Sequence, residues 1–463
     1  MKGGRPPGAG GFRARLSAFV RGRWRDAVPV ATTARRGILA GVADAGFTSL
    51  ASFAAGLFAI RALDAPALGG YALVFTAFNL LIVLPNQLLF VPAEAAAASF
   101  PPGERAGVVP HTLRAGIPAA LVGAALLPAW ILAAPRGIPA SAATALTVTA
   151  ALCAIISPLQ DHLRRMLHVA GRSAAAMQVS AIHLAVVVSA VAAGLHLERH
   201  REWVPFGALA AANLVSLAAG LFFLRGAGKA RRHDPGLGMR ALARQGRWLV
   251  MASLIGPASA FVVAAVVGHL AGVAALGLAE SARVIGGPVT VLATGLWAVL
   301  GPRSIRAARA RMDGEASRVA TRFHVMVMTA GGLYLAWMGF RWVLNPLAVL
   351  VPRPYVVPGL AAAAILAAIL HGGVFARRSE LVGLERTRTI ARIDFMGAAV
   401  RVALSASAAL VGPFALAIAM AGQAVFRRTA YRLALRDAYR APHAGRSDAG
   451  EAPPSVDRMA ESA

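Results

Sequence analysis

The segment RALDAPALGGYAL, residues 61–73, decides the fold because it separates two long apolar runs. One run covers residues 37–60 and the other covers residues 71–92. A helix needs roughly 20 apolar residues to cross the hydrocarbon core of a bilayer. Both runs have that length, so the segment is predicted to be a tight turn between two membrane-crossing helices.

The same criterion, applied along the whole chain, predicts an all-α polytopic membrane protein of about twelve transmembrane helices. The twelfth run is short, and we expect Arg427 and Arg428 to extend it by reaching toward the membrane surface. A re-entrant hairpin made of the last two runs is the alternative. The predicted spans are 37–60, 71–92, 112–134, 142–160, 174–195, 204–224, 248–268, 277–300, 324–340, 358–375, 393–410 and 413–426.

The composition agrees with a membrane protein. The chain is 57% hydrophobic and 14% charged, with a mean hydropathy of +0.63, so lipid is the expected solvent for most of it. The net charge of +27 does not indicate nucleic acid, because the positive charges form short clusters between apolar runs instead of one basic face. The single cysteine, Cys153, excludes a disulfide within the chain and a cysteine-based zinc site.

The basic residues predict the orientation. If the N-terminus is cytoplasmic, 38 of the 47 Lys and Arg residues fall in cytoplasmic segments, 6 fall in external loops and 3 lie within spans. Lys and Arg concentrate on the cytoplasmic side of membrane proteins, so both termini are expected on the cytoplasmic side of the cell membrane. The predicted parts are a cytoplasmic basic tail (1–36), an N-lobe (37–224), a cytoplasmic linker (225–247), a C-lobe (248–426) and a C-terminal cytoplasmic tail (427–463).

An internal repeat relates the two predicted six-helix lobes. RALDAPALGGYAL after the first span resembles GHLAGVAALGLAE (268–280) after the seventh, and Ala67-Leu68-Gly69 matches Ala275-Leu276-Gly277 at an offset of 208 residues. RRMLHVAGRS (164–173) resembles RRSELVGLER (377–386) at an offset of 213. Two similar lobes that face each other create a cleft, which rocking exposes to one side and then to the other.

The segment IRALDAPALGGYALVFTAF (60–78) resembles the oligosaccharide flippase branch of the multidrug/oligosaccharidyl-lipid/polysaccharide (MOP) transporter superfamily. The matching pieces are Arg61, Leu63-Asp64 and Gly69-Gly70-Tyr71-Ala72-Leu73. RRMLHVAGRSAAA (164–176) looks like a second family pattern, but it lacks the usual residue between Ala170 and Gly171. The resemblance implies a MATE-like fold of twelve helices in two lobes and export of a polyprenyl-diphosphate-linked glycan for surface polysaccharide.

Polar residues within the spans are the candidate substrate-binding groups, because ionisable side chains are rare at membrane depth without a function. Asp44 lies in the first predicted span, and the drug-extruding members of the superfamily that the chain resembles also use an acid in their first helix. The alternative is that Asp44 forms a structural pair with Arg35 or Arg36. Glu280 and Arg283 share one helix face and either neutralise each other or offer a guanidinium to a diphosphate. The candidates are Asp44, Asn79, Gln87, Glu280, Arg283 and Arg401.

The remaining candidates have structural alternatives too. Arg401 has no local partner in sequence, so it faces either the cleft or an acid on another helix. Asn79 and Gln87 suit sugar hydroxyls or, alternatively, hydrogen bonds between helices. His183 and His371 are single histidines on apolar helices, which are usually packing residues. No metal site or cofactor is expected.

These features favour a lipid-linked oligosaccharide flippase that works by alternating access and is not an enzyme. The expected partners are the lipid-linked glycan, membrane lipids and polysaccharide-assembly proteins, with no nucleic acid. A cation-coupled small-molecule antiporter of the MATE type has the same topology and is the main alternative. A membrane-embedded polymerase or glycosyltransferase is disfavoured by the short external loops, and a scaffold for cell-wall assembly with a degenerate cleft is the fourth reading.

Overall fold

The computed structural model describes residues 39–197, 199–225, 238–339 and 345–440. Within these ranges every regular element is helical, which confirms the all-α prediction. Tail 1–36, most of linker 225–247 and residues 441–463 lie outside the described residues. The twelve long helices of the described chain are α1 (Leu39–Ala62), α2 (Ala65–Ala98), α3 (Gly103–Ala133), α4 (Ala140–Val169), α5 (Ser173–Leu195), α6 (Arg201–Phe223), α7 (Met239–Ala271), α8 (Val273–Arg309), α9 (Asp313–Met338), α10 (Leu360–Gly383), α11 (Thr387–Ser405) and α12 (Ala415–Arg440).

Ten helices in the described ranges are long and apolar enough to cross a membrane, and α9 and α11 are not among them. In α11 the reason is charge, since its 19 residues include Arg388, Arg392, Asp394 and Arg401. Mean hydropathy treats every residue of a helix as if it faced lipid. It therefore undervalues a helix whose charged groups face other helices.

Most of the helices extend beyond the predicted spans, and for two of them the reason is identifiable. Helix α2 begins at Ala65, before the apolar run starts, because the Asp64 carboxylate accepts a hydrogen bond from the Ala67 N–H at 2.8 Å and caps the helix. Helix α12 extends to Arg440, so the prediction of a short last helix was wrong. Its polar end packs inside the protein, with Tyr431 buried, and the Arg427 side chain binds Asp394 instead of reaching for the surface.

The two repeat segments meet where α2 and α8 begin, at the predicted outer end of the bundle. A Cβ atom on Gly69 would lie 2.1 Å from the Val273 carbonyl oxygen, and a Cβ atom on Gly277 would lie 2.2 Å from the Ala65 carbonyl oxygen. Val273 follows Ala65 by 208 positions, as Gly277 follows Gly69. The contact is therefore reciprocal, and only glycine permits the two helices to approach this closely. We call these four residues the glycine seam.

Side chains around the glycine seam reinforce it. The Tyr355 hydroxyl donates to the Leu63 carbonyl at 2.5 Å, and the Arg61 guanidinium donates to the Val349 carbonyl at 3.1 Å. Burial raises the pKa of the Tyr355 phenol to about 12, so the phenol keeps its proton and remains a donor at neutral pH. These bonds join the α1–α2 turn to the segment between α9 and α10, which lies almost 300 positions later in the chain.

The opposite end of α2 packs against α7 through another glycine. Residues Asn86–Phe90 form a π-helical turn between Pro85 and Pro92. Proline has no N–H group, so Pro92 offers no donor to the Leu88 carbonyl four positions earlier. That carbonyl faces Gly246 of α7, where a Cβ atom would lie 2.1 Å from the oxygen. Helix α2 is thus held to the C-terminal half at both of its ends, and a cavity lies between these two contacts.

Replacing Gly277 with Ala should loosen the glycine seam, because the new methyl group would overlap the Ala65 carbonyl. We expect a loss of about 1–3 kcal/mol in the free energy of unfolding, measured as a lower melting temperature of the purified protein. Gly295→Ala, also on α8, is the matched control because a Cβ atom there meets nothing within 4 Å. Equal melting temperatures for the two variants would contradict this account.

Candidate functional site

A cavity of about 680 Å³ lies between α2 of the N-terminal half and five helices of the C-terminal half, α7, α8, α10, α11 and α12. Its wall is mostly small and aliphatic, which suits a chamber at membrane depth. A few polar side chains interrupt this wall and give the cavity its chemistry. They are Thr76, Asn79, Glu280, Arg283, Thr290, His371 and Arg401.

Glu280 and Arg283 form a two-pronged ion pair within this cavity. The Arg283 Nε and Nη2 atoms each donate to a Glu280 carboxylate oxygen at 2.6 Å. The Arg283 guanidinium also lies over the Phe75 ring of α2, 4.8 Å from the ring centre. The pair is therefore fixed in geometry and close to neutral in charge, and it connects α8 to the N-terminal half.

Arg401 differs from Arg283 because no carboxylate among the described residues lies within ion-pair distance of it. Its Nε atom is buried without a hydrogen-bond partner. A buried cation without a partner is unfavourable unless a ligand or water satisfies it. Since Glu280 is already bound by Arg283, Arg401 gives the cavity an excess positive charge.

Asn79 and His371 complete the polar part of the wall. The Asn79 side-chain amide donates to the Phe75 carbonyl at 2.8 Å, so this donor is already used within α2. His371 stands perpendicular to the Phe375 ring with 5.7 Å between ring centres, and its Nδ1 atom has no partner in the described structure. Sequence reasoning placed His371 with ordinary packing residues, and only its position beside Arg401 in the cavity distinguishes it from His183.

Asp44 does not line the cavity. The residue is 3% exposed. Its carboxylate accepts hydrogen bonds from Arg164 at 2.5 Å, His168 at 3.0 Å and Ser180 at 2.5 Å. The sequence-based alternative was a pair with Arg35 or Arg36, and both of these lie outside the described residues. The acid instead ties α1 to α4 and α5, which is the arrangement expected of a structural ion pair.

A second charged cluster in the N-terminal half was not predicted. Glu94 of α2 accepts from Arg165 and contacts the His162 Nδ1 atom, both at 2.9 Å, and the His162 Nε2 atom lies 2.8 Å from the Thr112 hydroxyl. His162 also stacks on Phe90 with 4.3 Å between ring centres. The signal in the sequence was the Arg164-Arg165 pair, which binds the neighbouring Asp161 and also Asp44 and Glu94, both of which are distant in sequence.

Gln87 is the other candidate that the structure places outside the cavity. It belongs to the π-helical turn of α2, and its backbone carbonyl faces Gly246 of α7. The structure thus brings four of the six candidates together around one cavity and leaves two elsewhere. The four are Asn79, Glu280, Arg283 and Arg401.

Solved structures that are similar to this chain cover most of its length. A multidrug resistance MATE family transporter of the MOP superfamily, in an inward-facing conformation, matches with a TM-score of 0.70 and 13% identity over 84% of this chain and 95% of its own. The lipid II flippase MurJ, in an inward closed conformation, matches with a TM-score of 0.58 and 10% identity over 86% and 87%.

A third similar structure is a MOP superfamily transporter from Pyrococcus furiosus Vc1, described by the reverse polarity of its binding pocket, with a TM-score of 0.51, 12% identity and coverage of 88% and 96%. No protein-family model and no curated protein matches the chain. Identities this low show the fold alone. The chain therefore has the twelve-helix MATE fold found in MOP superfamily transporters.

The two cavity arginines should respond differently to removal of their charge. Arg283→Met leaves the buried Glu280 carboxylate without its partner and should lower the stability by about 3–5 kcal/mol. Arg401→Met removes a half-buried cation whose Nε atom has no partner among the described residues, so the stability of this variant should equal or exceed that of the native protein. Thermal unfolding of both purified variants measures this, and a larger loss for Arg401→Met would contradict the charge assignment.

Asp44→Asn should destabilise the protein, because Arg164 and His168 lose an ionised acceptor. We expect about 2 kcal/mol, since Asp161 still holds Arg164 at 2.5 Å. Ser216→Ala is a suitable control, because the Ser216 hydroxyl bonds only to backbone carbonyls within α6. An unchanged melting temperature for Asp44→Asn would show that the Asp44 network is not structural.

Proposed function

We propose that this chain is a membrane transporter that moves a polyprenyl-diphosphate-linked oligosaccharide across the cytoplasmic membrane by alternating access. The observation that carries the proposal is Arg401, a cation in the wall of a large cavity at membrane depth that has no carboxylate partner among the described residues. Arg401 and Arg283 line the same cavity, so two guanidinium groups face one chamber. A diphosphate supplies the oxygen acceptors that such groups bind best.

The resemblance of the 60–78 segment to oligosaccharide flippases supports the same reading, as does the likeness in fold to the lipid II flippase MurJ. The polyprenyl tail would remain in lipid while the headgroup occupies the cavity. The membrane potential, negative inside, would favour outward movement of an uncompensated anionic headgroup by roughly 2.3 kcal/mol per charge per 100 mV. In this proposal both termini are cytoplasmic, and proteins that extend or attach the glycan are expected partners.

A cation-coupled small-molecule antiporter is the second candidate, favoured by the TM-score of 0.70 with the multidrug MATE transporter. A free carboxylate in the cavity would favour a cationic cargo. Among the described residues that line this cavity, Glu280 is the one acid, and both of its oxygens already accept from Arg283. The charge of the cavity therefore favours an anionic cargo over a cationic one.

Reconstituted proteoliposomes provide the test. The native protein should move a fluorescent polyprenyl-diphosphate disaccharide between leaflets, measured by its exposure to an impermeant quencher. Arg401→Gln should slow this movement about 10- to 100-fold, because a charge-assisted hydrogen bond contributes roughly 1.5–3 kcal/mol. Ser405→Ala is the control on the same helix, since the Ser405 hydroxyl bonds to the Val402 carbonyl and does not line the cavity.

Movement of the lipid-linked disaccharide at the native rate by Arg401→Gln would contradict the role given to Arg401. Failure of the native protein to move it would contradict the flippase proposal. Uptake of a cationic dye driven by a proton or sodium gradient, measured in the same vesicles, would instead support the antiporter.

A further inference from the structure

A second cavity of about 270 Å³ adjoins the main one, and Gly256 of α7 contributes to both walls. It lies nearer the predicted inner end. On α11 the main cavity is lined by Arg401 and the second by Asp394, seven positions earlier. At 1.5 Å per residue, this separates the two levels by about 10 Å along the helix axis.

The second cavity is lined by groups that form directional hydrogen bonds. Asp394 lies at the centre of these groups. Its carboxylate accepts hydrogen bonds from Arg427, from the Tyr431 hydroxyl at 2.5 Å and from Arg378 at 3.4 Å. Its charge is thus compensated by two guanidinium groups, each with further N–H donors. Gly397 makes this possible, because a Cβ atom there would lie 2.9 Å from the Arg427 side chain.

Gln423 is the unexplained member of this wall. The residue is 3% exposed, and its side-chain oxygen has no hydrogen-bond partner in the described structure. A buried amide oxygen without a donor costs about 1–3 kcal/mol. A residue of this kind beside a cavity indicates a ligand that brings a neutral donor, such as a hydroxyl or an amide.

An aromatic surface forms another side of the same cavity. Trp297 lies beside Phe375 with 6.1 Å between ring centres, and its indole N–H donates to the Ser379 hydroxyl at 2.7 Å. The indole is therefore fixed in orientation while the residue remains 37% exposed. A fixed aromatic face can stack on the apolar C–H face of a sugar ring, while amide, hydroxyl and charged groups bind the hydroxyls at its edge.

We propose that this second cavity binds the sugar attached directly to the diphosphate, with the diphosphate itself held at Arg401 and Arg283. This inference rests on the proposed flippase function and deepens it. The separation of about 10 Å along α11 is comparable to the combined length of a diphosphate and one pyranose ring. Gln423 and Thr294 bind hydroxyl or amide groups of the sugar, and Trp297 supports its ring.

The test compares two ligands that differ only in the sugar, namely undecaprenyl diphosphate and undecaprenyl diphosphate carrying one N-acetylhexosamine. Their dissociation constants are measured for the protein in lipid nanodiscs. The native protein should bind the sugar-bearing lipid more tightly. Gln423→Leu should weaken binding of the sugar-bearing lipid about five- to tenfold, the effect of one lost hydrogen bond, and leave binding of undecaprenyl diphosphate unchanged.

Gln423→Leu should also keep or raise the melting temperature, because it removes a buried oxygen that has no partner. Thr294→Val is the second variant and should show the same selective loss. Its hydroxyl already donates to the Thr290 carbonyl at 2.9 Å, and so it acts on the sugar as an acceptor. Ser405→Ala should bind both lipids as the native protein does.

The outcomes separate the two proposals. In one outcome, Arg401→Gln binds neither lipid while Gln423→Leu and Thr294→Val bind both as the native protein does. In that case the proposed sugar site is wrong and the flippase function stands. If Gln423→Leu weakens both lipids equally, the second cavity binds phosphate and the sugar site is again wrong. If the native protein binds neither lipid, both proposals fail.

Discussion

The close approach of two backbones at the glycine seam is the constraint on which the rest of the structure depends. Gly69 faces the Val273 carbonyl and Gly277 faces the Ala65 carbonyl, so the starts of α2 and α8 meet without side chains between them. Small residues at such crossings permit backbone contact where lipid provides no hydrophobic drive for association. With the helices joined at this end, the space between them opens deeper in the bundle. The main cavity occupies that space, with Phe75 of α2 and Arg283 of α8 stacked across it.

Carboxylates in both halves of the described chain bind basic side chains, and Arg401 differs because it has no such partner among the described residues. In the N-terminal half the carboxylates of Asp44, Glu94 and Asp161 all bind arginine or histidine side chains, and the helices close tightly around them. In the C-terminal half Arg401 has no carboxylate partner and lies in the wall of a cavity. Paired charges hold helices together, whereas an unpaired buried charge reduces stability and is expected where a ligand binds. Under the proposed function, this contrast assigns the paired charges to structure and Arg401 to the cargo, a distinction that identities of 10–13% to the solved structures cannot supply.

Much of the fold could be predicted from the sequence. The length of the apolar runs indicates which segments can cross a membrane, and the distribution of arginine predicts which loops lie on the same side. The Glu280–Arg283 pair could also be predicted, since a spacing of three on a helix fixes its geometry. The partners of Asp44 could not, because Arg164 lies 120 positions away and only tertiary packing brings them together. Gln87 was misplaced for a local reason. Gln87 lies within the π-helical turn at Asn86–Phe90, which interrupts the α-helical period of α2, so the spacing from Asn79 does not predict its face.

The two halves differ at one pair of positions that the predicted internal repeat relates. Arg164-Arg165 and Arg377-Arg378 correspond at an offset of 213, and by the same offset His162 corresponds to Phe375. In the N-terminal half His162 stacks on Phe90 and bonds to Glu94 and Thr112, which fills the space at the inner end of α4. In the C-terminal half Phe375 cannot form such bonds, and it packs beside Trp297 at the edge of the second cavity. The C-terminal half thus has an apolar ring where the N-terminal half has a hydrogen-bonding one, and Phe375 shares the lining of the second cavity with Asp394 and Gln423. Under the proposed function, a polar cargo in this cavity would supply the hydrogen-bond donor that the Gln423 side-chain oxygen lacks among the described residues.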